Sequence, residues 1–168
     1  MNNKIKELWI KIKPYILPYA IAIAIPITVG IISAALTKSN MQVYNELKTP
    51  MLAPPAWLFP IVWTILFILM GISSGVVYTN RKKNTNAATK ALGYYFASLV
   101  VNFAWSILFF NLQAAFFALL ALIVLLFLIV KTIVEYRKIS GFAAYIQIPY
   151  AVWVAFAGYL NAAIWIMN

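Results

Sequence analysis

Five long apolar runs, separated by polar turns and one longer loop, constrain this chain more than any other feature of its sequence. A helix needs about 20 mostly apolar residues to cross the hydrocarbon core of a bilayer. The runs cover residues 15–36, 57–79, 91–110, 114–134 and 142–167. Only 10% of the residues are charged and 65% are hydrophobic, whereas soluble chains carry about 25% charged residues. The pattern predicts an all-α integral membrane protein, a bundle of five transmembrane helices that forms one domain over residues 1–168.

The placement of Lys and Arg predicts the orientation of the bundle, because cytoplasmic segments carry the excess of positive charge. With the N-terminus inside, the inner segments hold eleven Lys and Arg and the outer segments hold only Lys38 and Lys48. We therefore expect a cytoplasmic N-terminus, a C-terminus outside and a first helix that is retained rather than cleaved as a signal peptide. Residue usage rich in Lys, Ile and Asn favours the inner membrane of a bacterium as the location of this multi-pass protein.

The net charge of +10 has two interpretations. In so apolar a chain, topology and attraction to anionic lipid headgroups explain it better than nucleic-acid binding. We therefore expect the lipid bilayer as a partner and no nucleic acid.

The residue types that are missing exclude much enzyme chemistry. The sequence has no His and no Cys, and its only acids are Glu7, Glu46 and Glu135. A His/Cys metal site, a Ser-His-Asp triad and a His-ligated haem are therefore excluded, and we expect no metal. Glu135 lies at a helix end beside Lys131 and the other two acids lie outside the spans, which disfavours proton coupling. Five spans also cannot divide into two equal inverted halves, the commonest plan of secondary transporters.

Aromatic and polar residues recur at helical spacing inside the spans. In the fifth run, Trp153, Ala157 and Asn161 follow one another every four residues and share a face. Asn102 lies in the middle of the third run, with Trp105 close by. A buried Asn of this kind makes an interhelical hydrogen bond or anchors a ligand in an aromatic cavity, and spacing alone favours neither.

Small residues at helical spacing favour helix packing. The second run contains Gly71 and Gly75, and the fifth contains Ala151, Ala155 and Gly158. We expect both stripes to contact neighbouring helices.

Three blocks of the sequence resemble the translocator protein family, also called TspO/MBR or tryptophan-rich sensory proteins. The first block comprises YNELKTP at 44–50, PPAW at 54–57, VWT at 62–64 and MG at 70–71. The second is NFAW at 102–105 with FF at 109–110, and the third is PYAVWVAFA at 149–157 with LN at 160–161. The blocks keep the family's order and spacing, so the resemblance extends over about residues 20–166.

The resemblance implies a five-helix fold, a homodimer and a cavity that opens toward the first outer loop, residues 37–56, which acts as a lid. Family members bind porphyrins, haem-like tetrapyrroles, sterols and other flat lipophilic molecules. Some bacterial members degrade protoporphyrin in light, and the two tryptophans implicated match Trp63 and Trp153, which are therefore the candidate catalytic residues. No cofactor is required, since the tetrapyrrole is the ligand or the substrate. The candidate ligand-binding residues are Tyr44, Pro55, Trp57, Trp63, Asn102, Trp105, Trp153, Ala157 and Asn161.

The chain departs from the family pattern at several positions. Leu52 replaces a tryptophan on the cavity side of the loop, Phe117 replaces a tryptophan and Ala121 replaces an aspartate of the fourth helix. The tyrosine and arginine of the family's cholesterol motif fall at Ala162 and Ile166, which disfavours sterol binding.

Three functions follow from these observations. The favoured one is a membrane receptor or sensor that binds tetrapyrroles, with light-dependent porphyrin degradation as a further hypothesis. The alternative is a carrier that moves porphyrins or other lipophiles across the membrane. A third is an assembly partner without a ligand, in which the aromatic residues only pack.

Overall fold

The structure is a computed structural model that describes residues 3–40 and 43–168, with side chains from residue 16 onward except 41–43 and 45. Two residues of the expected lid, 41 and 42, and the side chains of the N-terminal lysines therefore lie outside the described part. The described secondary structure is entirely helical. The α-helices are α1 Asn3–Thr37, α2 Val43–Glu46, α3 Leu58–Thr79, α4 Thr85–Ser106, α5 Ala115–Arg137, α6 Gly141–Ile146 and α7 Ile148–Met167.

Five helical segments of the described chain are long and apolar enough to cross a membrane, which confirms the predicted count. They are Ile16–Asn40, Leu58–Thr79, Thr85–Asn111, Ala115–Arg137 and Gly141–Met167. The all-α transmembrane fold follows directly from the apolar runs.

The spans differ from the predicted boundaries by up to six residues at their ends, and two of them also differ in form. The third begins six residues earlier than predicted, at Thr85, because the Asn84 side chain caps the helix by accepting a hydrogen bond from the Ala87 amide at 3.0 Å. It continues beyond α4 as a π-helix over Ile107–Asn111. The fifth span is divided at Gln147 into α6 and α7, since Pro149 has no amide hydrogen to continue the helical ladder.

The helices form a closed ring. Helix α1 packs on α3, α3 packs on α6, both α6 and α7 pack on α5, α5 packs on α4, and α4 returns to α1. Within the apolar stretch of each span, only 11% of the residues of the first are buried, against 44% of those of the second. Helix α1 therefore lies at the periphery, where cavities can open beside it.

The small-residue stripe of α3 packs as predicted. A Cβ atom at Gly71 would collide with the backbone Cα of Ile23, and one at Gly75 would approach the Tyr19 ring to 2.8 Å. These glycines allow α1 and α3 to approach closely. The Ser73 hydroxyl on the same helix donates to the Ala143 carbonyl at 2.7 Å and joins α3 to α6.

The corresponding prediction for α7 holds at Ala151, which packs against the core, and fails within the described chain at the other two positions. A Cβ atom at Gly158 would meet no atom within 4 Å, and Ala155 is exposed. Spacing alone cannot say which face of a helix looks inward, and Ala155 and Gly158 of this stripe face away from the bundle.

Candidate functional site

A cavity of about 250 Å³ lies between α1, α3 and α4. It is mostly apolar, and it brings together three of the predicted ligand-binding residues, Trp63, Asn102 and Trp105. The other lining residues are Ile27, Gly30, Ile31, Ser33, Ala34, Thr37, Phe59, Pro60, Thr64, Phe67, Ser106 and Phe110. Four of the fifteen, Ile31, Ala34, Pro60 and Thr64, are exposed, so the cavity opens to the surface of the bundle within the spans.

Aromatic rings form most of one wall. The Trp63 and Trp105 ring centroids lie 6.0 Å apart with an interplanar angle of 33°. Phe67 continues the wall from Trp63 at 5.6 Å, and Phe109, which lies behind Trp105 and outside the lining, stacks on it at 5.8 Å and 26°. Such a wall offers broad apolar faces to a flat ligand.

Asn102 is the buried polar group of this wall, with 4% of its surface exposed. Its Nδ2 atom donates to the Tyr150 hydroxyl of α7 at 3.0 Å. The residue joins two helices and also lines the cavity, so the interhelical bond is present and the ligand-anchoring role stays a prediction. The bond to Tyr150 uses a donor of the amide and leaves its Oδ1 atom available as an acceptor.

A second, much smaller cavity of about 20 Å³ lies under the outer loop. Tyr44, Ala157 and Asn161 line it, and Trp105 lines both cavities. The Trp105 Nε1 atom donates to Asn161 Oδ1 at 3.3 Å, and Asn161 Nδ2 donates to the Ala115 carbonyl at 2.7 Å. Asn161 therefore orients Trp105 from beneath.

The outer loop is held against the bundle by Tyr44. This residue is 8% exposed, its hydroxyl donates to the Pro54 carbonyl at 3.1 Å, and its ring meets Phe59 edge-on at 5.1 Å. Burial raises the pKa of the Tyr44 phenol above its ordinary value. Phe59 also lines the larger cavity, so it connects Tyr44 of the loop to that cavity.

Two pairs of hydrogen bonds fasten this loop, one in its C-terminal half and one at its N-terminal end. The Lys48 amide donates to Asn168 Oδ1 at 3.0 Å, and Asn168 Nδ2 donates back to the Lys48 carbonyl at 3.1 Å. At the N-terminal end, Asn40 Nδ2 donates to Asn111 Oδ1 at 3.0 Å, and Asn111 Nδ2 donates to the Leu36 carbonyl at 3.1 Å. Asn111 is the last residue of the π-helix, so that segment helps to fasten the loop.

The remaining predicted residues lie apart from the larger cavity in the described structure. Trp153 contacts Phe59 at 5.9 Å, and its Nε1 atom is buried with no acceptor among the described residues. Pro55 is exposed, and Trp57, at the N-terminus of α3, is 65% exposed. Neither Pro55 nor Trp57 is among the described residues that line the two cavities.

Several lining residues escaped the sequence prediction, although their spacing was a usable signal. Phe59, Trp63 and Phe67 follow one another every four residues on one face of α3. On α1, Ile27, Gly30 and Thr37 share a face at steps of three and seven. The substituted family positions lie away from the larger cavity, since Leu52 and Phe117 are exposed and Ala121 packs against the core.

Comparison with known proteins matches the sequence to a family. The model of the TspO/MBR family matches residues 22–166. The chain is 37% identical over 155 residues to the tryptophan-rich protein TspO of Chlorobaculum tepidum, which covers 91% of this chain and 97% of that protein. It is 29% identical to the tryptophan-rich sensory protein of Cereibacter sphaeroides, covering 86% of this chain and 85% of the relative. It is 32% identical to the human translocator protein, covering 75% of each chain.

The family match spans most of the chain and includes the residues that line the cavity beneath the outer loop. Together with the five spans, it supports a membrane sensor or receptor role. The chain is a multi-pass membrane protein that belongs to the TspO/MBR family.

Proposed function

We propose that the protein is a membrane receptor or sensor that binds a tetrapyrrole, or a flat lipophile of similar shape, against Trp63 and Trp105. The observation that carries the proposal is the pair of adjacent indoles, 6.0 Å apart and tilted by 33°, beside the buried amide of Asn102. Flat aromatic ligands gain dispersion and stacking energy on such a wall, and one polar contact fixes their orientation.

The shape of the cavity supports a ligand that enters from the bilayer. Its volume of about 250 Å³ is below the usual range of ligand pockets, about 300–1,000 Å³. A macrocycle would therefore extend through the exposed mouth formed by Ile31, Ala34, Pro60 and Thr64. Because these residues lie within the spans, the mouth faces lipid, where lipophilic ligands concentrate.

Charge at the loop side of the cavity suits an acidic ligand. Lys38 follows the lining residue Thr37 and is exposed, and Lys48 is exposed in the outer loop. Porphyrins with carboxylate side chains would place the ring on the indoles and the carboxylates toward these cations. Because Lys38 directly follows a residue that lines the cavity, it is the first cation to replace in a binding experiment.

The test is a titration of the purified protein with protoporphyrin IX, followed by the shift of the porphyrin's Soret band. We expect a saturable shift that Trp63→Leu weakens about tenfold, equivalent to about 1.4 kcal/mol. Trp165→Leu is the matched control, since Trp165 is exposed and packs on Phe116 away from the cavity. A shift that never saturates, or equal losses in both variants, would contradict the proposal.

Light-dependent degradation is a further part of the proposal, with dissolved dioxygen as the oxidant. In the described structure Trp63 lines the cavity and Trp153 contacts it only through Phe59. We therefore expect Trp63→Phe to slow the loss of the Soret band under illumination more than Trp153→Phe does. If the double variant degrades porphyrin as fast as the wild type, this part fails while binding stands.

A measurement of porphyrin flux across the membrane distinguishes a carrier from a receptor. The protein is reconstituted in liposomes and protoporphyrin is added on one side of the membrane. The porphyrin that appears on the other side is then measured. Saturable binding without flux agrees with a receptor, whereas flux lost in Trp63→Leu would favour a carrier.

A further inference from the structure

A third cavity, of about 380 Å³, lies between α1, α3 and α4 toward the opposite end of these helices from the outer loop. Its α1 wall runs from Leu17 to Ile25, which is about 12 Å at 1.5 Å per residue. Ser74 and Tyr95 are buried in its floor. It is larger than the cavity lined by Trp63, Asn102 and Trp105, and the two share none of their described lining residues.

This cavity is a groove open to lipid. Leu17 is 67% exposed, Ile21 51% and Phe96 46%, and all three lie within the membrane spans. The groove is therefore bordered by acyl chains of the bilayer along its whole length.

The groove ends at a cation. Tyr78 lines this end and is followed by the exposed turn Arg81–Lys83. The Arg81 guanidinium lies over the Tyr78 ring, with 4.1 Å between its carbon and the ring centroid, and its Nη1 atom donates to the Tyr78 carbonyl at 2.7 Å. These two contacts orient the guanidinium at the groove end, and it has five donors in total.

We propose that the groove binds one phospholipid with an anionic headgroup, drawn from the leaflet at the basic end of the bundle. The acyl chain lies between α1 and α4, the Tyr78 hydroxyl is close to the glycerol esters, and the phosphate pairs with Arg81. The chemistry along the groove runs from apolar to phenol to guanidinium, which is the order of chain, ester and phosphate in the lipid. Guanidinium groups bind phosphate with two parallel hydrogen bonds, and basic pockets between membrane helices bind anionic headgroups.

The test counts lipids that stay bound. The purified full-length protein is incubated with phosphatidylglycerol or with phosphatidylcholine of the same acyl chains, and retained lipid is measured by native mass spectrometry. We expect retention of one phosphatidylglycerol in preference to phosphatidylcholine. Arg81→Gln should lower that retention about fivefold.

Matched variants separate the groove from general surface charge. Arg137→Gln removes an exposed arginine from the last turn of α5 and should leave retention unchanged. Ile21→Trp fills the groove and should lower retention. Ile32→Trp should leave retention unchanged, because Ile32 is an exposed residue of α1 that lines neither the groove nor the cavity at Trp63. Equal retention of the two lipids, or equal losses in Arg81→Gln and Arg137→Gln, would overturn the proposal.

Discussion

The indole nitrogen of Trp105 donates a hydrogen bond to the Asn161 side chain at 3.3 Å, across the interface between α4 and α7. Asn161 in turn donates to the Ala115 carbonyl at the start of α5. One amide thus connects three helices and orients an indole that lines both the 250 Å³ and the 20 Å³ cavity.

Replacing this amide should weaken both the fold and the site. Asn161→Leu removes two interhelical hydrogen bonds, each worth about 1 kcal/mol or less in a membrane protein. We expect a lower midpoint of thermal unfolding in detergent and weaker protoporphyrin binding. Unchanged binding in a stably folded variant would show that Trp105 is held without Asn161.

The bond between Asn102 and Tyr150 separates a structural role from ligand binding. Asn102→Leu and Tyr150→Phe each remove the bond of 3.0 Å between α4 and α7, so their effects on unfolding should be less than additive in the double variant. Asn102→Leu should lower the affinity for protoporphyrin more than Tyr150→Phe, because only Asn102 lines the cavity. Equal losses of affinity would leave Asn102 with a structural role alone.

Two glycine substitutions should have opposite effects on stability. Gly71→Ala forces a methyl group against the Ile23 backbone, and overpacking of this kind costs about 1–3 kcal/mol. Gly158→Ala meets open space and improves helix propensity by about 1 kcal/mol. The unfolding midpoints of the two variants, compared with the wild type, test this difference directly.

The fastening of the outer loop by Asn168 should control its opening. Asn168→Ala removes both hydrogen bonds to the Lys48 backbone, so hydrogen exchange of the loop amides around Lys48 should become faster. Lys48→Ala is the control, since those bonds use its main chain only. Equal exchange rates in the wild type and Asn168→Ala would indicate that Tyr44 and the Asn40–Asn111 pair hold the loop without Asn168.

The loop should also loosen at alkaline pH. Burial raises the pKa of the Tyr44 phenol above the ordinary value of 10.0, so the docked loop favours the protonated form. This contribution to stability is fully present below a pH of about 10 and is lost as the pH rises through the raised pKa. Hydrogen exchange measured across that range should show a step in the wild type that Tyr44→Phe lacks.

Much of the candidate site could be predicted from the sequence, because helical periodicity shows which residues share a helix face. The spacing of Trp153, Ala157 and Asn161 marked a face of the last helix, and Ala157 and Asn161 do line the small cavity together. The same periodicity applied to α3 would have added Phe59 and Phe67 to Trp63. Periodicity could not show that Trp153 contacts Phe59 instead of lining the larger cavity, because that depends on how α7 is rotated against α3.

The sequence by itself determined the membrane class, the five spans and the family, since apolar length and motif order are properties of the chain alone. Only the tertiary structure decided which stripe of small residues packs, because Gly71 meets α1 and Gly158 meets open space. It also decided that Asn102 reaches Tyr150 and that Asn161 holds Trp105, since these bonds join residues 48 and 56 positions apart in the sequence. The physical reason is that these contacts depend on how each helix is rotated and shifted along its axis. That arrangement is determined jointly by residues that are distant in the sequence.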